Sequence, residues 1–308
     1  LKHWSRIKEA GGLFGLKFTL ILFRLFGRRI TYLIMYVIML YYFLLYKDAR
    51  KSSFIYIQHL DKNICGFKLW LHSFKHFLAF GEMIIDKFAV WNGKITMKDI
   101  NFSKQHRSNL NNAISSKKGG IIFTAHIGNL DVARALSKYD YQMKINALVF
   151  SKHAPKFNKL LTKVTSKYEI GMICVQEVSP ELAINLYDRV QNGEFIVIAA
   201  DRTSITKPER EVNSVFLGEK AAFPQGAFIL ASLLKCPAYF MLCPKKNDTF
   251  DLIFDNFSLD GITLNKKNRK ADLEKYSQQY ASLLELYCKL YSLQWFNFFD
   301  FWYSGEIR

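Results

Sequence analysis

From residue 121 onward, short apolar runs alternate with segments of helical spacing, and this alternation restricts the fold more than any other feature of the chain. Strands are expected over 121–125, 145–150, 172–175, 195–200, 238–243 and 250–255, with helices over 129–138, 154–167, 179–192, 225–235 and 270–292. Strand and helix in alternation imply an α/β fold: a mainly parallel or mixed central sheet flanked by helices. Ser179-Pro180-Glu181 is a clear helix start, with a capping hydroxyl, a proline in the first turn and an early carboxylate. Upstream, 64–89 has helical periodicity. Phe67, Leu71, Phe74, Phe77 and Leu78 fall on one face, and Lys68, His72, Lys75 and His76 largely on the other. The apolar stripe can line an apolar tunnel or pack on the sheet. His72 and His76, four residues apart without a third ligand nearby, read as helix-surface histidines, and no metal is expected. The chain divides into a hydrophobic membrane-associating segment, 1–50, and an α/β domain, 51–308.

The segment His126-Ile127-Gly128-Asn129-Leu130-Asp131 lies where the first of those strands hands over to a helix. Ligands of open α/β sheets bind at that carboxyl edge. A neutral imidazole there can take a proton from a hydroxyl. A carboxylate on its other nitrogen fixes the tautomer and stabilises the imidazolium that forms. Asp131, in the first helical turn, is the nearby carboxylate, and Gly128 lets an incoming chain approach closely. The other reading of this spacing is a helix cap with a dipole-complementing Asp131. No Gly-x-Ser-x-Gly elbow, phosphate loop or dinucleotide fingerprint occurs, which argues against a serine acyl-enzyme and a nicotinamide cofactor.

The net charge of +17, from 43 Lys and Arg against 26 Asp and Glu, draws the protein to anions. Membrane surfaces and acidic carrier proteins fit. Nucleic acid does not, for want of any recognition motif. Five scattered cysteines without Cys-x-x-Cys indicate a reduced protein with no structural metal.

Near the N-terminus, Gly12–Phe23 and Ile30–Tyr46 are apolar and separated by Arg24, Arg28 and Arg29. The second stretch spans roughly 25 Å as a helix, a little less than the roughly 30 Å hydrocarbon core. Basic residues flank it on both sides. We read it as a helical anchor that either spans the bilayer or dips into one leaflet, the alternative being an internal core helix.

His-Ile-Gly-Asn-Leu-Asp resembles the His-x4-Asp/Glu signature of the lysophospholipid acyltransferase superfamily, in the form found in the lipid A late acyltransferase branch. The block from Phe216 to Ala231, with Phe216, Gly218, Pro224 and Gly226, is similar to the segment that follows the catalytic region there. Between them, Asp201-Arg202 stands where that branch carries Asp-Gln. Asp201-Arg202 and the aromatic run from Trp295 to Trp302 look more like a less characterised subgroup of predicted acyltransferases. The resemblance implies an O-acyltransferase at the bacterial inner membrane with its catalytic domain facing the cytoplasm. It would move a fatty acyl group from acyl carrier protein or acyl-CoA to a hydroxyl of a lipid or glycolipid, with these co-substrates and no other cofactor. His126 and Asp131 would form the dyad. Gly128, Asn129, Asp201, Arg202, Phe216, Gly218, Pro224 and Gly226 would bind substrate, the last four by shaping a loop over the site, unless they form a simple turn before the helix. Oxyanion donors are expected around Gly128 or Gly226 or from Arg202, which can instead hold an anionic acceptor group or make a structural ion pair. A lipid ester hydrolase using the same dyad, or a non-catalytic membrane protein of the same fold, are the alternatives.

Overall fold

A computed structural model describes residues 12–133, 143–150, 171–175, 179–203 and 210–302. Helices α1 (Gly12–Leu45), α2 (Lys47–Leu60), α3 (Gly66–Trp91) and α4 (Lys104–Ser115) precede most of the sheet. The strands are β1 (Ile100–Asn101), β2 (Gly120–Thr124), β3 (Ile145–Phe150), β4 (Gly171–Val175), β5 (Phe195–Ala199), β6 (Glu211–Phe216), β7 (Glu219–Pro224), β8 (Ala238–Leu242), β9 (Lys245–Lys246), β10 (Thr249–Asp251) and β11 (Ile253–Ser258). Helices α5 (Pro180–Gln191), α6 (Gln225–Leu234) and α7 (Arg269–Leu290) lie among and after them.

The main sheet runs β11-β8-β2-β5-β3-β4, parallel throughout except for β11. Every residue of β2 is buried, as helices on both faces require. Ile121 and Phe123 enter the core shared with α5, α6 and α7, whereas Ile122 faces the core shared with α3 and α4. The side chain of Ser179 accepts from the Leu182 amide at 3.2 Å and caps α5 as expected.

Four local expectations change. The run at 250–255 is two strands: the chain leaves the small sheet β1-β10-β9 at Leu252 and joins the main sheet as β11. The Phe216–Gly226 block is no loop over the site. It is mostly the hairpin β6-β7, turned by Leu217 and Gly218, whose φ of 50° and 86° give the doubly left-handed turn that matches strand twist. Gln278 of α7 donates to the Val215 carbonyl and accepts from its amide, occupying part of the hairpin's open edge. After Asn129 the chain forms a short 3-10 turn, Leu130–Ala133; the remainder of the expected helix 129–138 and the helix at 154–167 lie outside the described residues. His76 is not a surface histidine but is fully buried, because the C-terminal aromatic segment covers that side of α3.

Helix α1 is interrupted at Gly27 and packs its second half on α3 through Met35, Met39 and Phe43. Lys245 ties the same helices together, meeting Asp86 at 3.0 Å, Glu82 at 3.3 Å and the Tyr32 hydroxyl at 3.0 Å. The opposite stripe of α1, Leu33, Val37, Tyr41, Leu44 and Leu45, is exposed, Leu33 to 72 % and Val37 to 66 %. Arg50 donates to the carbonyls of Phe43 and Leu44, satisfying the end of α1 where the chain turns into α2. Among the described residues no single helix is long and apolar enough to cross a membrane. Ile30–Leu45 and Lys47–Leu60 meet that criterion only as a pair bent by 94°.

Candidate active site

The parallel pairing of β2 and β5 aligns Thr124 with Ala199, so the residues just beyond, Ala125-His126 and Ala200-Asp201, leave the sheet side by side. Asp201 is fully buried and turns both oxygens on His126. One lies 2.7 Å from Nδ1 of the ring, and the other accepts the His126 backbone N–H at 2.8 Å. The second oxygen also accepts the indole N–H of Trp295 at 3.0 Å. A carboxylate so placed holds the proton on Nδ1 and leaves Nε2 as the free lone pair. The side chain keeps 35 % of its surface exposed, so the site is open on one side.

Burial disfavours charge on Asp201, but the His126 ring, its amide and the nearby Arg202 guanidinium outweigh it and hold the carboxyl down at about 2. Burial and then the Arg202 cation push His126 below the ordinary imidazole value, against the opposing pull of Asp201. Water at the exposed third of the ring moderates that shift. At neutral pH the pair is a neutral imidazole on an anionic carboxylate, the resting form of a general base.

The carboxylate expected at Nδ1 from local spacing was Asp131, and the geometry differs. Asp131 forms an ion pair with Lys87 at 3.3 Å and accepts from the Trp91 indole at 3.4 Å, both on α3. Its amide donates to the Asn129 side chain, and the tight turn directs it away from Nδ1. Gly128 also has a different use. With φ of 67°, a Cβ there would lie 2.3 Å from the Cys243 carbonyl oxygen and 2.4 Å from Pro244 Cα, so the glycine admits the chain after β8 rather than a substrate. Its N–H is donated to the Gln294 carbonyl at 3.0 Å and is therefore committed away from an oxyanion.

Arg202 and Asn129 stay with the dyad. Arg202 donates to the Phe296 carbonyl at 3.2 Å and the Asn297 side-chain oxygen at 3.3 Å. Asn129 is buried and donates its backbone N–H to the Cys243 carbonyl. The side-chain nitrogens of Asn129 and Asn297 are buried with no hydrogen-bond partner among the described residues. Phe216 meets the site through the ring of Trp295, 5.2 Å away. Gly218 belongs to the hairpin turn, Pro224 ends β7 and Gly226 lies in the first turn of α6; none of the three is brought onto His126. The residues that sequence reasoning missed are Asp201 as the orienting carboxylate and Trp295 as its donor. The signal that could have found Asp201 was its place immediately beyond a strand able to pair with β2.

The sequence model of the bacterial lipid A biosynthesis acyltransferase family matches residues 74–298, which run from α3 through the dyad to the aromatic segment behind it. The chain belongs to that family. It is accordingly an acyltransferase, and membership implies an acyl donor and a lipid acceptor. Comparison with curated proteins returns no match. The match takes in His126, Asp201 and Trp295 together, so the hydrogen-bonded cluster lies wholly within the family region.

Proposed function

We propose that the protein is a membrane-associated O-acyltransferase that moves a fatty acyl group from acyl carrier protein or acyl-CoA to a hydroxyl of a lipid or glycolipid. The observation that carries this reading is the 2.7 Å contact between His126 Nδ1 and the buried Asp201, which supports Nε2 as the base. His126 removes the acceptor's hydroxyl proton as its oxygen attacks the thioester carbonyl. The tetrahedral intermediate collapses with expulsion of the thiolate, which takes up the proton from the imidazolium, and no acyl-enzyme is required. The Arg202 guanidinium supplies positive charge for the oxyanion or for an anionic group of the acceptor. The side-chain nitrogens of Asn129 and Asn297, without a partner among the described residues, are further candidate donors.

Expression in a bacterial host lacking the gene, followed by mass spectrometry of extracted lipids, tests this reading. Wild type is expected to yield an acylated species that is absent with His126→Ala. Free fatty acid released without an acylated product would favour the hydrolase reading, and identical profiles would favour the non-catalytic one.

The exposed apolar stripe of α1, with Lys47 and Arg50 just beyond it, suits a helix lying in the headgroup region of the inner membrane's cytoplasmic leaflet. Burying a Leu or Val side chain contributes roughly 1.5–3 kcal/mol. The double variant Leu33→Asp/Val37→Asp should therefore reduce partition onto anionic vesicles by more than about tenfold. Unchanged co-sedimentation would remove α1 as the anchor.

A further inference from the structure

Trp295 is fully buried, and its main chain is fixed on both sides. It forms an antiparallel bridge with Ile127, its carbonyl accepts His76 Nε2 at 2.9 Å, and the next residue, Phe296, donates its amide to the His126 carbonyl at 2.8 Å. Its ring is wedged edge-on among Tyr56, Phe216 and Phe301, at 4.9 to 5.2 Å between centroids. The indole N–H therefore has one direction open to it, towards Asp201. There it meets the oxygen that already accepts the His126 amide, and these two donors on one oxygen set the carboxylate plane that presents the other oxygen to Nδ1.

We propose that Trp295 is a positioning residue for the transfer reaction: its indole N–H locks the Asp201 carboxylate against His126, so that the C-terminal aromatic segment aims the base. The proposal rests on His126 being that base. Trp295 touches no reacting atom and acts through Asp201 alone. A donor taken from Asp201 leaves its charge less spread and its oxygens more basic, which favours the imidazolium. Among the described residues the charged groups acting on the ring are Asp201 itself, Arg202 and Lys87; a change at Trp295 removes none of these charges and acts through the basicity of Asp201.

Of the two imidazole forms diethyl pyrocarbonate acylates only the neutral one, so its rate at His126 across pH, read by peptide mass spectrometry on the full chain in detergent, gives the midpoint of the ring without any substrate. The wild-type midpoint is expected below 6.5. Trp295→Phe is expected to raise it by about half a unit or more, whereas Tyr56→Leu, which removes a ring from the same aromatic packing but no donor to Asp201, leaves it in place. Replacement of Trp295 by benzothienylalanine keeps the bicyclic shape and deletes only the N–H, and should give the same rise if the phenylalanine variant does not fold. An unchanged midpoint in a folded variant lacking the N–H overturns the proposal. Absence of acyl transfer by the wild type would instead count against the function, since the midpoint is read independently of turnover.

Discussion

Asp201→Asn should lower the rate of acyl transfer on the order of 10³-fold while leaving the protein folded. The amide is nearly isosteric with the carboxylate and can still accept the His126 and Trp295 N–H groups on its oxygen. It loses the anion that stabilises the imidazolium. It can also present an NH2 group to Nδ1, which drives the ring proton to Nε2 and removes the lone pair that takes the acceptor's proton. Two readouts separate this from simple damage. Donor and acceptor KM should change little, because neither is held by Asp201. The His126 midpoint should fall further below its wild-type value, because the opposing pull of Asp201 is gone and the lowering by burial and Arg202 remains. Measurement of kcat with diethyl pyrocarbonate titration on the same preparation checks both.

Acid sensitivity centred on His76 is the second large effect expected. Its ring is buried between α2 and the C-terminal segment, with Nδ1 3.0 Å from the Ser53 hydroxyl and Nε2 donating to the Trp295 carbonyl. Burial lowers its pKa to about 4, with the bond to that carbonyl opposing. The folded protein therefore binds this proton less readily than the unfolded chain, whose imidazole titrates near 6.5. The stability contributed by neutral His76 is complete above pH 6.5, declines as pH falls and is exhausted near pH 4, a loss of roughly 3 kcal/mol. His126, also lowered, acts with the same sign. Asp201 acts at lower pH, between about 4 and 2. His106, raised by its hydrogen bond to Asp255, has the opposite sign, favouring the fold below 6.5 and losing that contribution as pH rises through its folded value. His76→Gln keeps a donor for the Trp295 carbonyl and cannot titrate. Urea denaturation from pH 7 to 4 should show it less stable than wild type at pH 7 but with most of that acid-induced loss removed. Equal losses in the two proteins would exclude His76 as the source.

The central sheet was legible because its strands are apolar on both faces, so they stand out as short runs between amphipathic helices; 145–150 in β3 and the cap at Ser179 are found where the residues place them. The position of His126 at a strand end was legible for the same reason. Its partner was not. Asp201 lies 75 residues away, and the two meet only because β3 and β4 are laid outside β5, leaving β5 beside β2. Strand order is decided by packing of the whole sheet, so a local rule chose Asp131, which the 3-10 turn directs to Lys87. His76 was assigned to the polar face of α3 because its helical neighbours are Lys and His; a segment some 220 residues downstream, which no periodicity reports, covers it. The hairpin β6-β7 was hidden because Phe216, Gly218, Pro224 and Gly226 are residue types that equally shape a loop or a simple turn before a helix.

Side-by-side kcat measurement for Asp201→Asn, Asp131→Asn and His126→Ala in detergent, with the donor and acceptor identified from the host lipids, tests the His126–Asp201 pairing most directly. The geometry predicts that Asp201→Asn falls to within about tenfold of His126→Ala while Asp131→Asn, which loses an ion pair to Lys87, retains most of its activity. Asp131→Asn at the level of His126→Ala, with Asp201→Asn close to wild type, would contradict it.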